Sequence, residues 1–142
     1  MTNLGLRRGR GQGLRNLAAM QRRTPAWLAA DVIGVLVFCA VGRRSHAEGV
    51  TVSGVASTAW PFLTGTVIGW LASRAWRRPT AVVPTGVVVW ICTVAVGMLL
   101  RKASSAGVAA SFVVVASSVT AVLLLGWRAG VGLALRRLGG GG

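Results

Sequence analysis

Residues Ala81 to Leu100 read AVVPTGVVVWICTVAVGMLL, twenty positions without one charged side chain, closed by Arg101-Lys102. A helix of that length measures about 30 Å at 1.5 Å per residue, the thickness of a bilayer's hydrocarbon core. An amphipathic surface helix would alternate apolar and polar faces; here polar residues are too few to make a second face. Working outward, the pattern recurs three times. Ala56 to Ser73 precedes the stretch and Gly107 to Trp127 follows it. Ala26 to Val41 comes first and is shortest, bounded by Pro25 and Gly42-Arg43. These blocks predict an all-α membrane protein. Four transmembrane helices, at about 26–42, 56–74, 81–101 and 107–128, form an antiparallel bundle within residues 25–130.

The charges agree with that reading. The chain has 142 residues, 54% of them hydrophobic, and a formal net charge of +14 from sixteen Lys and Arg against only Asp31 and Glu48. So basic a chain invites a nucleic-acid partner, yet the positive residues lie between or outside the apolar blocks and form no RNA- or DNA-binding motif, so none is expected. Twelve of the sixteen fall in the N-terminal arm, after the second block and after the fourth; four follow the first and third. The positive-inside rule then predicts a multi-pass plasma-membrane protein with both termini cytoplasmic and two short outer loops. Residues 1–24 read as a basic, flexible, Gly-rich arm resting on anionic headgroups, with room for a short interfacial helix from Leu14 to Gln21. Residues 131–142 read as a basic helical extension and a Gly tail. Asp31 interrupts the first block and no A-x-A-like site follows it, so it is expected to be a retained anchor. Cys39 and Cys92 should lie about 6 and 13 Å below the outer ends of their helices, an offset that disfavours a disulfide. One His and two acids supply no metal cage, and no cofactor is expected.

Helices associate in lipid through small residues and hydrogen bonds, because lipid itself is as apolar as Leu. The second block puts Thr58, Phe62, Gly65, Thr66, Gly69 and Ser73 on one face, with Gly65 and Gly69 in G-x-x-x-G spacing. The third aligns Gly86, Trp90, Thr93, Gly97 and Arg101; the first aligns Asp31, Gly34, Phe38 and Gly42. Plain packing accounts for these stripes more simply than a permeation path. Trp90 lies mid-block and reads as core, its indole N–H needing an internal partner. Trp27, Trp60, Trp76 and Trp127 fall where an aromatic belt belongs. Pro61 and Pro84 are placed in the first turns of their helices, where Pro is tolerated. A weak tandem repeat shows in Gly69-Trp70 and Gly126-Trp127, each with Arg shortly after, and hints at two parallel hairpins.

Two constellations could carry function. Asp31 is the one acid inside a span, and an intramembrane acid is a functional candidate by default. Arg74 and Arg128 lie at its level, so a structural Asp–Arg clasp is the simpler expectation and a proton or cation relay the sharper one. At the opposite end Arg43, Arg44 and His46 follow the first block, and Arg101 ends the third on the same side. Guanidinium forks suit phosphate or carboxylate. The expected partner is an anionic lipid or solute, with His46 adding charge as pH falls through about 6.5. A merely solvated loop is the plainer alternative.

Taken together, several features resemble a known family: Asp31, Phe38, Gly42-Arg43-Arg44-Ser45-His46, Trp60-Pro61-Phe62, Gly69-Trp70, Trp90-x-x-Thr93 with Gly97 and Arg101, Phe112, and Gly126-Trp127-Arg128. This is the domain-of-unknown-function family numbered three thousand and fifty-four, small bacterial and archaeal membrane proteins, and the resemblance covers about residues 26–130. It implies four membrane helices and no catalytic assignment. The function expected first is a small transporter or channel-like module acting as a homo-oligomer. The alternative is a structural or accessory subunit bound to another membrane protein. An enzyme acting on lipid headgroups ranks last, since no nucleophile–base pair or acid pair is discernible.

Overall fold

The computed structural model describes residues 11–13, 15, 18–19, 22–45, 47 and 49–140, and among them the only regular structure is helical. Four long helices are each apolar enough to cross a membrane. They are α1 (Thr24–Ser45), α2 (Val52–Ser73), α3 (Val87–Ala103) and α4 (Ala110–Gly139), and a wide π-type turn, Val82–Gly86, leads into α3. Of the arm, Gly11, Gln12, Gly13, Arg15, Ala18, Ala19 and Arg22 are helical, so glycine does not keep helix out of this stretch.

Two expected helix starts are corrected. α2 begins four residues early, because Thr51 is an extended N-cap whose side chain accepts the Gly54 N–H at 3.1 Å. Such a cap satisfies a backbone donor that the helix cannot. Pro61 therefore lies inside α2, not in its first turn, and denies the Ser57 carbonyl its helical donor. Pro84 lies ahead of regular α-helix, in the wide turn, where Val83 is extended and the Val83–Pro84 peptide is cis. The Gly86 N–H reaches back to the Ala81 carbonyl at 3.0 Å, and α3 proper starts at Val87.

α2 and α3 approach most closely, and glycine is the reason. A Cβ on Gly65 would stand 2.5 Å from the Cys92 carbonyl oxygen, and one on Gly69 would stand 2.7 Å from Val89 Cα. Gly97 of α3 receives the Phe62 ring in the same way, with 2.5 Å to its nearest atom. Between these contacts the Thr66 and Thr93 hydroxyls share a buried hydrogen bond of 2.9 Å. Close backbone approach plus one polar pair is how helices adhere in lipid. Around this seam α1 and α4 complete the bundle. Phe38, Phe62 and Phe112 meet in its interior, with ring centroids 5.3 to 6.4 Å apart, beside Val35, Ala59, Ala116 and Leu124. Trp90 lies against this cluster and gives its indole N–H to the Ser117 carbonyl at 3.0 Å.

Candidate functional site

At the end of the bundle where the chain enters α1, Asp31 is wholly buried and accepts four hydrogen bonds. Arg128 of α4 supplies two, from Nη1 to Oδ1 at 2.7 Å and from Nη2 to Oδ2 at 2.6 Å. Trp70 of α2 adds its Nε1–H to Oδ2 at 2.7 Å, and Trp127 adds its own to Oδ1 at 2.9 Å. Two more of the guanidinium's five N–H groups are committed: Nε donates to the Pro79 carbonyl at 3.0 Å and Nη1 also to the Leu124 carbonyl at 2.7 Å. Trp27 stacks on Trp127 at 5.3 Å and screens the pair from outside. A buried ion pair tolerates desolvation only when the geometry is good and the remaining donors are satisfied. The pair is bidentate and the carboxylate takes four donors, which makes a clasp and leaves no carboxylate lone pair ready for a proton relay.

Arg74, expected as an alternative partner, takes no part. It is exposed and caps α2 in the left-handed conformation, φ 50°, turning the chain into the connector that carries Pro79 under the bundle. Trp70 and Trp127, by contrast, were legible only as a repeat and a belt residue. They turn out to be the indole donors on the two oxygens of one carboxylate. The Gly-Trp repeat was the available signal.

The other end is built differently. Arg43 and Arg101 both line a cavity of about 550 Å³ between the end of α1 and the start of α4. Arg43 reaches across the α1–α2 connector, donating from Nε to the Gly49 carbonyl at 3.1 Å and from Nη1 to Thr58 Oγ1 at 3.3 Å. It lies against Gly54, where a Cβ would come within 2.5 Å of Nη2. Arg101 lies over the Phe112 ring at 4.7 Å and donates from Nη2 to the Ala106 carbonyl at 3.3 Å. Its Nε is buried and meets no acceptor among the described residues. An orphaned buried donor carries a desolvation penalty of about 1–3 kcal/mol until something accepts from it. Arg44 is exposed and is not among the cavity's lining residues; His46 and Glu48 lie outside the described residues.

A second hollow of about 560 Å³ adjoins Val82, Val83, Gly132 and Leu133. Arg128 and Arg136 are its charged lining residues, and four of the five Arg128 N–H groups are already committed to Asp31 and to the Pro79 and Leu124 carbonyls. Cys39 and Cys92 are both free thiols, buried and half-buried. Among the described residues no three His, Cys, Asp or Glu side chains gather to hold a metal.

A helical protein with four membrane-capable spans, clasped by an ion pair at one end and open in a basic cavity at the other, is the class this architecture defines. The family described as protein of unknown function (DUF3054) matches residues 28–140, and the chain belongs to it. No curated protein and no solved structure matches the chain.

Proposed function

We propose that this protein is a small transporter- or channel-like module for anions that acts as an oligomer. The observation that carries the reading is the one-sided cavity, with two guanidinium groups at its wall and, on one of them, a buried donor that meets no acceptor among the described residues. Below it the Phe38, Phe62 and Phe112 rings close the bundle, and the clasp closes the far end. Passage through the membrane then requires helices to move, or a seam between copies. Room for a second copy exists on α4, where a Cβ at Gly126, Gly130 or Gly132 would meet nothing within 4 Å. The same open face supports the second reading, an accessory subunit whose partner helix lies there. The charge distribution supports cytoplasmic termini in a plasma membrane, so that the cavity opens outward.

The test is flux of chloride, acetate and inorganic phosphate into phosphatidylcholine vesicles containing the purified chain. At least one anion should enter faster than in protein-free vesicles, Arg101→Gln should reduce that rate tenfold or more, and light scattering should return more than one chain per particle. No flux of any of the three, with a monomeric particle, defeats the proposal. A different protein co-purifying at fixed stoichiometry would shift the reading to the accessory subunit.

A further inference from the structure

The cavity beside Arg101 is polar at one end and apolar at the other, and that gradient says what kind of anion it fits. Along α1 its wall runs from Ser45 and Arg43 to Cys39 and Phe38. From Ser45 to Phe38 is seven steps along the helix, about 10 Å at 1.5 Å per residue. Along α4 it runs from Ser111 to Val115, again from hydroxyl to hydrocarbon. Thr58 lies at the polar end; Phe112, under the Arg101 guanidinium, divides the two. Its volume of about 550 Å³ falls within the roughly 300–1,000 Å³ of sites that hold organic ligands. A bare inorganic ion would leave most of it empty, and the apolar part would contribute nothing to holding such an ion.

We infer that the cavity takes an amphiphile: an oxyanion head, phosphate or carboxylate, at Arg101 and Arg43, with an alkyl chain running toward Phe38 and Val115. The head accepts from the orphaned Arg101 Nε–H, the donor the protein leaves without an acceptor among its described residues. The chain enters sideways from lipid, because Val115 and Ser111 are exposed on the outer face of α4. This rests on the reading of the cavity as an anion site and adds the class of ligand.

Radiolabelled dodecyl phosphate is the probe, measured on the full chain in phosphatidylcholine nanodiscs against empty discs. Saturable binding at one molecule per chain is expected. Arg101→Gln should weaken it tenfold or more, and Val115→Trp, which fills the apolar end from an exposed position, should weaken it comparably. Inorganic phosphate should displace the probe only at concentrations at least a hundredfold higher. If discs containing phosphatidylglycerol suppress binding, bilayer lipid is the source of the head; if they do not, a free single-chain acid is. Displacement by inorganic phosphate at equal concentration, or indifference to Val115→Trp, overturns the amphiphile while leaving an anion site standing. Equal binding by wild type and Arg101→Gln overturns the site itself. Retained binding without vesicle flux defeats only the transport reading.

Discussion

Replacing Asp31 by Asn keeps the shape of the side chain and removes its charge. The carboxylate presents two acceptor oxygens, each taking one Arg128 nitrogen and one indole nitrogen at 2.6 to 2.9 Å. An amide presents one oxygen, so in either orientation its NH2 faces two donors that then lose their acceptor. Arg128 is left buried without a counter-charge, and breaking such a pair costs about 3–5 kcal/mol. At 1.4 kcal/mol per factor of ten, the folded-to-unfolded ratio falls by two to nearly four orders of magnitude. Arg128→Gln should cost somewhat less, about 3 kcal/mol, because Trp70 and Trp127 still answer the carboxylate. Asp31→Asn with Arg128→Gln removes both charges and leaves mainly imperfect hydrogen bonds, about 2–4 kcal/mol in all. The double variant should therefore be more stable than the two single losses added together, by at least about 2 kcal/mol. Equilibrium unfolding in mild detergent, titrated with a denaturing detergent and followed by circular dichroism, measures all four proteins. Losses that add within about 0.5 kcal/mol would refute the clasp as an energetic unit.

Gly65→Ala drives a methyl into the Cys92 carbonyl and should destabilise by about 1–3 kcal/mol. Gly126→Ala, which meets open space, should be neutral or stabilising by up to about 1 kcal/mol; the same unfolding assay compares them. Trp70→Phe removes the 2.7 Å donor to Asp31 and should cost about 1.5–3 kcal/mol, the worth of a hydrogen bond to a charged group. Thr93→Val breaks the hydroxyl pair with Thr66 and should cost far less, near 0.6 kcal/mol, as such bonds do between membrane helices. For orientation, cysteine replaces the exposed Ser45 or the exposed Arg77 in a chain freed of Cys39 and Cys92. An impermeant thiol reagent added to cells should label the first and spare the second, and the reverse pattern would invert the topology.

The span count is legible because a bilayer makes one demand, length without charge, and Ala81 to Leu100 meets it on sight. The facing of α2 and α3 is legible for a related reason. Gly65, Gly69, Thr93 and Gly97 can share a stripe only at helical spacing, and lipid gives small residues a particular use. Chain ends resisted. Thr51 looks like any loop threonine until its side chain is seen on the Gly54 N–H, and with it α2 starts early enough to enclose Pro61. Depth along each helix narrowed the partner of Asp31 to two arginines and could choose no further. The choice depends on rotation about the helix axis and on the left-handed turn at Arg74, neither of which a hydropathy profile records. Arg43 and Arg101 could be assigned to one end from the charge pattern, but the apolar wall between them required Phe112 of α4 in place.

The clasp also has a timetable. Asp31 lies in α1, ahead of all its partners in the chain, and Trp70, 39 residues later, can answer only one of its oxygens. Arg128 comes 97 residues after Asp31, a delay of roughly 5–20 s at 5–20 residues per second. Through that interval a nascent chain holds an acid of α1 short of its counter-charge, a burden below the roughly 2.5–3.5 kcal/mol that insertion scales give at a helix centre, because Asp31 lies toward the start of its helix. The fourth helix is thus the event that discharges it. A chain halted before Arg128 has α1 to α3 complete and an Asp31 carboxylate still without its counter-charge.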